Sequence, residues 1–253
     1  MIHRVDEARD LGPEPHLIGR GKYLKSTVYG GLDGIITTFA VVSGVAGASL
    51  EPKIILILGA ANLFADGIAM AFGDFLSTKA ENEFNLSERI REEQEVIHRP
   101  SHERNELINI YREKGLNETD SEALVGILEK YPDVMVDTMM VEELGILENN
   151  ESPLRNAIAT LASFVFFGSF PLSVYLISEF SLFEGVGDFL ERGALLIACL
   201  ITGITLFSLG AVKAKVTGQN RFRSGFEMLV IGGIAAAVAY GIGAFLDGAI
   251  PSS

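Results

Sequence analysis

Three aspartates lie inside long apolar stretches of the 253-residue chain, where an ionised side chain is costly. Asp33, Asp66 and Asp74 each occur in a stretch that contains no Lys or Arg to neutralise them. A charged side chain deep in a membrane helix costs about 2.5–3.5 kcal/mol on insertion scales, and such residues typically mark ion or proton pathways. We therefore expect a mobile cation or a proton to be the partner of these carboxylates.

The spacing around these aspartates predicts a polar stripe on one helix. Asp66, Met70 and Asp74 are spaced i, i+4, i+8 and share one helix face, with Asn62 one turn further along it. Asp33 and Met70 are each the seventh residue from the inner end of their stretch, which places both about 9–10 Å deep at 1.5 Å per residue. This pattern is typical of a cation path. Plain packing of Met70 and interfacial capping by Asp74 are the alternative interpretations.

Acidic residues also recur at helical spacing in the polar stretch 77–155. Pairs separated by three residues are Glu92 and Glu95, Glu103 and Glu106, and Met140 and Glu143, with Met139 beside the last pair. Residues at i and i+3 lie on one helix face, so pairs on adjacent helices can converge on a divalent cation. A thioether ligand would favour Fe, Co, Zn or Cu over Mg and Ca. The alternative is a solvated acidic face, and His98 and His102 fit either a ligand or a surface role.

Composition separates a cation-attracting part from an apolar part. The net charge is −13, and residues 77–155 alone hold 19 acidic against 9 basic side chains. Such a stretch concentrates cations and repels nucleic acid, so no nucleic-acid partner is expected. The single cysteine, Cys199, excludes a disulfide or a thiolate metal site within one chain.

Five apolar blocks are long enough to cross a bilayer, which takes about 20 residues. They are Thr27–Ser49, Ile54–Leu76, Asn156–Ile177, Gly193–Val212 and Gly225–Leu246. Of the 20 basic residues, 18 fall in the N-terminal segment, in residues 77–155 and in the link between the fourth and fifth blocks. Because cytoplasmic loops carry an excess of Lys and Arg, the N-terminus and the acidic stretch are predicted inside and the C-terminus outside.

These elements predict an all-α membrane protein with five transmembrane helices and a cytosolic helical metal-binding domain inserted between spans two and three. The predicted parts are a cytosolic N-terminal segment (1–26), spans one and two (27–76), the acidic domain (77–155), spans three to five (156–246) and a short external tail (247–253).

Local signals refine this prediction. Gly30 and Gly34 in span one predict close helix packing. In the domain, Ser101 is predicted to cap a helix that ends at Gly115, and Thr119 with Glu122 to form a capping box for the next.

Long ordered stretches of the chain resemble the vacuolar iron transporter family of divalent iron and manganese transporters. The resemblance runs from Lys25 to Leu246 and rests on STVYGGLDGIITTFAVVSGVAGA, ANLFADGIAMAFGDFLSTKAENEF, ERIREEQEVIHRPSHERNEL and DTMMVEELG. It implies a homodimer whose ion path lies between the two copies of spans one and two. It also implies that divalent iron leaves the cytosol in exchange for protons.

The resemblance further implies site residues. The path residues of the family fall on Asp33 and Met70, and the polar stripe adds Asp66, Asn62 and Asp74. The domain ligands of the family fall on Glu92, Glu95, Glu103, Glu106, Met139, Met140 and Glu143. Some members carry a glutamate at the position of Asn62, which cannot carry a proton, so proton coupling here would rest on Asp33 and Asp66.

The predicted function is therefore export of a divalent metal by a protein that is not an enzyme. Fe²⁺ is the expected substrate, with Mn²⁺, Co²⁺ and Zn²⁺ as others, and no permanently bound cofactor is expected. The expected partners are the lipid bilayer, metal ions, protons and a second copy of the chain. The lack of a targeting extension favours a prokaryotic cell membrane over a vacuolar one.

Two other functions remain open from the sequence. A membrane-bound metal sensor or buffer would use the acidic domain without transport. An intramembrane aspartyl protease would use two membrane aspartates, and Phe72–Asp74 partly matches its GxGD signature although position 71 is Ala.

Overall fold

The computed structural model describes residues 24–147, 151–179 and 186–250, and for residues 186–192 it describes the backbone alone. Most of the predicted N-terminal segment 1–26 and part of the predicted tail 247–253 lie outside these residues. Within the described ranges all regular structure is helical. The eight helices there are α1 Leu24–Gly47, α2 Pro52–His98, α3 Pro100–Glu113, α4 Glu118–Leu128, α5 Pro132–Glu142, α6 Pro153–Glu179, α7 Val186–Thr217 and α8 Arg221–Ala249.

The chain divides into two compact units. The first, here the membrane unit, comprises the described residues up to Asp74 and from Leu154 onward, and the second, here the polar unit, is Phe75–Pro153. Helix α2 contributes to both, because the division falls at Asp74 within its 47 residues.

Five helices are long and apolar enough to cross a membrane, which confirms the five predicted spans. They are α1, the first part of α2, α6, the part of α7 from Gly193 to Thr217, and α8. Among them α1 is the most buried, with half of its most apolar window inside the structure, whereas α8 is mostly exposed. Span one is therefore the central helix of the membrane unit.

Small residues let the backbones of the membrane unit approach closely. A Cβ added at Gly30 would lie 2.6 Å from the backbone oxygen of Thr160 on α6, and one added at Gly34 would overlap the backbone of Phe164. The Gly30 and Gly34 pair thus packs span one against span three of the same chain, since a side chain at either position would separate the helices. An apolar core of residues such as Val42, Phe164 and Leu172 fills the space around this contact.

The polar unit has its own hydrophobic core. It is built from Val96, Leu107, Ile108, Val125, Met135, Val136, Met139 and Met140. Ion pairs join its helices at the surface: Arg89 with Asp137, Arg104 with Glu129, and Lys114 with Glu142. Four helical segments therefore hold one another through a shared core, with charged contacts around it.

Two predicted helix caps of the polar unit are wrong. Helix α3 begins at Pro100 with Arg99 as N-cap and no side-chain cap, so Ser101 lies inside the helix. Proline fits the first turn because its missing N–H has no partner there in any case. Helix α4 is capped by Asn117, whose side chain accepts a hydrogen bond from the Asp120 backbone N–H, so Thr119 also lies inside its helix. The predicted stop at Gly115 agrees with the positive φ of that residue, 105°.

Candidate metal path and carboxylate cluster

Asp33 on α1 and Asp66 on α2 are brought together within the membrane unit. The two carboxylates are close enough for their charges to repel each other, and both side chains are half-buried. In the part of the chain that the structure describes, neither forms an ion pair with a Lys or Arg. Two like charges in a medium of low dielectric are stabilised by a cation or by a shared proton.

The other residues of the predicted stripe have different surroundings. Asp74 accepts a hydrogen bond of 2.5 Å from the hydroxyl of Thr160, which is 1 % exposed on α6. Met70 packs against the apolar core of the membrane unit. The side-chain nitrogen of Asn62 is buried and has no hydrogen-bond partner among the described residues. Asp74 is therefore tied to span three, whereas the amide of Asn62 is left with an unused donor.

Carboxylates from three different elements converge in the polar unit. Glu92 on α2, Glu103 on α3 and Glu143 at the end of α5 each offer one oxygen, and these oxygens lie within 4.8 Å of one another. Glu92 and Glu103 are only 3 % and 2 % exposed. The Oε2 atom of Glu92 is buried without a hydrogen-bond partner. A buried carboxylate oxygen without a donor is costly unless a proton or a cation occupies the space beside it.

The electrostatics of this cluster favour the uptake of positive charge. Burial, followed by repulsion from Glu143, Glu103, Glu95 and Glu106 in that order, raises the pKa of Glu92 to about 7. The pKa of Glu143 is raised by burial first and then by Glu106, Glu103 and Glu95, while His102 opposes the shift. The charges of the four other predicted glutamates therefore all act on Glu92, so the five carboxylates lie close to one another. Oxygen ligands at this density suit a divalent cation.

The two predicted methionine ligands lie in the core beside the cluster. Met139 is fully buried and Met140 nearly so, and both pack with Val96, Leu107 and their neighbours. Their packing role accounts for their burial, and a thioether contact to metal stays a prediction.

His98 and His102 are the two residues of this region whose role the sequence left open, and the structure separates them. The Nδ1 atom of His102 lies 3.2 Å from a Glu103 oxygen and 3.4 Å from a Glu106 oxygen. The signal was present in the sequence, because His102 and Glu106 are four residues apart and share a helix face. His98 differs, since its Nδ1 lies 2.7 Å from the backbone oxygen of Gln94 on its own helix.

Comparison with known proteins identifies the family of this chain. The profile of the VIT family matches residues 24–244, which covers both units. This chain belongs to the VIT family. A Toxoplasma gondii protein named vacuolar iron transporter is 39 % identical over 253 residues, covering 97 % of this chain and 82 % of the relative. A Plasmodium falciparum vacuolar iron transporter is 37 % identical, covering 88 % of this chain and 82 % of the relative.

Plant proteins of the VIT family match over a similar length. Vacuolar iron transporter 1 of Arabidopsis thaliana is 29 % identical over 221 residues, covering 87 % of this chain and 84 % of the relative. The VIT family consists of transporters, so this chain is a transporter and not an enzyme. It is an integral membrane protein with several spans. The protease alternative is thereby excluded.

Proposed function

We propose that this VIT-family chain exports a divalent metal ion from the cytosol, Fe²⁺ first and Mn²⁺ second, in exchange for protons. The observation that carries the proposal is the pair Asp33 and Asp66, two mutually repelling carboxylates in the membrane unit with no basic partner among the described residues. Such a pair binds a passing cation strongly enough to replace part of its hydration shell. The names of the relatives, which refer to iron, support the choice of metal.

Exchange with protons follows from the chemistry of carboxylate ligands. A carboxylate binds metal only when it is deprotonated, so a proton arriving from the far side displaces the ion. Asn62 cannot take up a proton, and proton coupling therefore falls to Asp33 and Asp66. Metal and proton compete for the same oxygens, and their movements are linked with opposite sign.

A second copy of the chain would complete the path. Asp33 and Asp66 are only half-buried in one chain, and Phe64, Ile68 and Phe72 on α2 are largely exposed. Carboxylates that faced lipid would be destabilising. A homodimer through spans one and two would cover this surface and enclose the carboxylates in a path along its axis.

The proposed orientation of the chain in the membrane rests on its charge distribution, and the proposed type of membrane rests on the relatives. The excess of Lys and Arg supports a cytosolic location for the N-terminus and the polar unit, where the acidic cluster would raise the local metal concentration. The relatives are named after the vacuole, which supports transport into a storage compartment in those organisms.

A metal sensor or buffer is the second candidate function. The polar unit forms a separate compact unit with its own core and its own carboxylate cluster, and these would suffice for binding without transport. A pure sensor does not need Asp33 and Asp66 in the membrane unit, however, so transport accounts for more of the chain.

A flux assay separates the two functions. The purified protein is reconstituted into liposomes that contain a metal-sensitive dye, and Fe²⁺, Mn²⁺, Co²⁺ and Zn²⁺ are added in parallel with and without a pH gradient. We expect uptake that is fastest for Fe²⁺, that increases with an acidic interior, and that is accompanied by alkalinisation of the interior. Uptake no faster than in protein-free liposomes would contradict transport and favour the sensor. Metal uptake without proton movement would contradict exchange alone.

A further inference from the structure

The nitrogen of His102 faces two carboxylates at distances that match neighbouring ligands of one metal ion. Its Nδ1 lies 3.2 Å from Glu103 Oε1 and 3.4 Å from Glu106 Oε2, and the three ligand atoms lie within 4.8 Å of one another. Ligands bound at about 2.1 Å and at angles of 90–109° are separated by about 3.0–3.4 Å. The side chains are therefore arranged as one face of a coordination shell.

Glu103 connects this group to the carboxylate cluster. It is 2 % exposed, and it belongs both to the group with His102 and Glu106 and to the group with Glu92 and Glu143. Glu92, itself only 3 % exposed and a member of the second group, carries an Oε2 atom that has no hydrogen-bond partner among the described residues. This buried unpartnered oxygen is independent evidence that a positive ligand belongs in the cluster, because such an atom is costly when left alone.

His102 itself is accessible from solvent. Its side chain is 66 % exposed, whereas Glu103 beneath it is buried. His102 is therefore the member of the group that a cation from solution reaches most easily. The group differs from the group of Glu92, Glu103 and Glu143, whose Glu143 is also exposed, in having a nitrogen donor.

We propose that His102 is a nitrogen ligand in this cluster, where it binds a divalent cation together with Glu103 and Glu106, and that the Glu103 carboxylate is shared with the group of Glu92 and Glu143. The inference rests on the proposed binding of divalent metal by the polar unit. The site binds borderline divalent ions such as Fe²⁺, Co²⁺ and Zn²⁺ in preference to Mg²⁺ and Ca²⁺, because imidazole suits the former and oxygen-only sites suit the latter. A nitrogen ligand at this position makes the cluster select ions by ligand type.

Nitrogen ligation is measured directly with Mn²⁺ as the probe. Full-length protein in detergent is loaded with Mn²⁺, and pulsed electron–nuclear double resonance records the nuclei bound to the ion. The parental protein, labelled with ¹⁵N-histidine, should show a ¹⁵N coupling that His102→Gln removes. His98→Gln is the matched control, since His98 is also exposed, lies four residues away and faces a backbone oxygen of its own helix. It should leave the coupling intact.

Metal preference provides the second measurement. Competition between Zn²⁺ and Mn²⁺ should show that His102→Gln lowers the preference for Zn²⁺ by about tenfold, with His98→Gln unchanged. Absence of a nitrogen coupling in the parental protein, or its persistence in His102→Gln, would overturn the proposal and leave His102 as an ion-pair partner of the glutamates. An unchanged preference would also overturn it.

The outcome is independent of the transport assay. Liposomes without metal flux combined with a nitrogen coupling that depends on His102 would contradict the proposed function and support nitrogen ligation by His102. Metal flux without any such coupling would support the proposed function and contradict nitrogen ligation by His102.

Discussion

The two units of this protein present carboxylates to cations in opposite ways. In the membrane unit, Asp33 on α1 and Asp66 on α2 form a pair of half-buried carboxylates. In the polar unit, five glutamates and a histidine surround one small volume beside a hydrophobic core. Few ligands favour fast release, whereas many ligands favour retention. On the proposed function, we therefore expect the membrane unit to pass ions and the polar unit to hold them.

The largest expected effect separates metal transport by the membrane unit from metal binding by the polar unit. Replacing Asp33 with Asn removes one charge of the membrane pair while keeping the shape of the side chain, and it should lower metal flux in liposomes by about 100-fold or more, since one charge deep in a membrane is worth several kcal/mol. Binding of metal to the polar unit, measured by calorimetry, should be unchanged. Asp247→Asn, the same replacement at an exposed position of α8, is the control and should retain parental flux. Parental flux in Asp33→Asn would refute the role assigned to the membrane pair.

The next largest effect concerns metal binding by the polar unit. Glu103→Gln removes the carboxylate shared by both groups of the polar unit, and should weaken metal binding by about 10–100-fold, the usual range for the loss of a well-placed partner at a metal site. Flux at saturating metal should change little, because Asp33 and Asp66 are untouched, whereas flux at limiting metal should fall.

Glu122→Gln serves as the control for this experiment, because Glu122 is an exposed glutamate of the neighbouring helix α4. It should leave both binding and flux unchanged. If Glu103→Gln abolished flux even at saturating metal, retention and passage would not be separable functions of the two units.

A smaller effect concerns the stability of the metal-free polar unit. The pKa of Glu92 is about 7 in the folded chain against an ordinary value of 4.5, so the folded state binds more protons between these two pH values. The contribution of Glu92 to the stability of the metal-free polar unit is therefore fully present below pH 4.5 and is lost as the pH rises to about 7. Hydrogen exchange, corrected for its intrinsic pH dependence, should show that peptides from 75–147 are less protected at pH 8 than at pH 5.5 when metal is absent.

Two additions sharpen this stability test. Glu92→Gln imitates the protonated side chain and should remove most of the pH dependence. A divalent cation added at pH 8 should restore protection in the parental protein, because it neutralises the same repulsion. Peptides from the membrane unit provide the internal reference. Equal protection at both pH values would show that the five glutamates do not share one volume.

The sequence predicted the spans better than the details of either site, and the reason is physical. A span is specified by about 20 apolar residues, and the excess of basic residues on one side predicts its direction, so both signals are local. The caps at Ser101 and Thr119 were predicted wrongly because Pro100 and Asn117, close by in sequence, compete for the same helix starts.

Contacts between distant segments were beyond the sequence. Nothing in the spacing of Asp74 indicates that Thr160, 86 residues away, donates a hydrogen bond to it. The proximity of Asp33 and Asp66 likewise depends on how two helices pack. Family resemblance supplied the glutamate set, but the contact of His102 with Glu103 and Glu106 required the side-chain geometry of α3.

The smallest expected effect tests whether Asp74 belongs to the path or to the scaffold of the membrane unit. Thr160→Val removes the hydroxyl that donates to Asp74 and preserves the shape of the side chain. Hydrogen bonds between membrane helices average about 0.6 kcal/mol in double-mutant cycles, with a maximum near 1.7 kcal/mol. Unfolding measurements on Thr160→Val, Asp74→Asn and the double variant should therefore show a coupling free energy of about this size. Because so little free energy is involved, metal flux through the Thr160→Val variant should stay within about twofold of the parental flux. Such a result would assign Asp74 to helix packing and leave Asp33 and Asp66 as the carboxylates of the path. A loss of flux in Asp74→Asn as large as in Asp33→Asn, without any coupling to Thr160, would place Asp74 on the path instead.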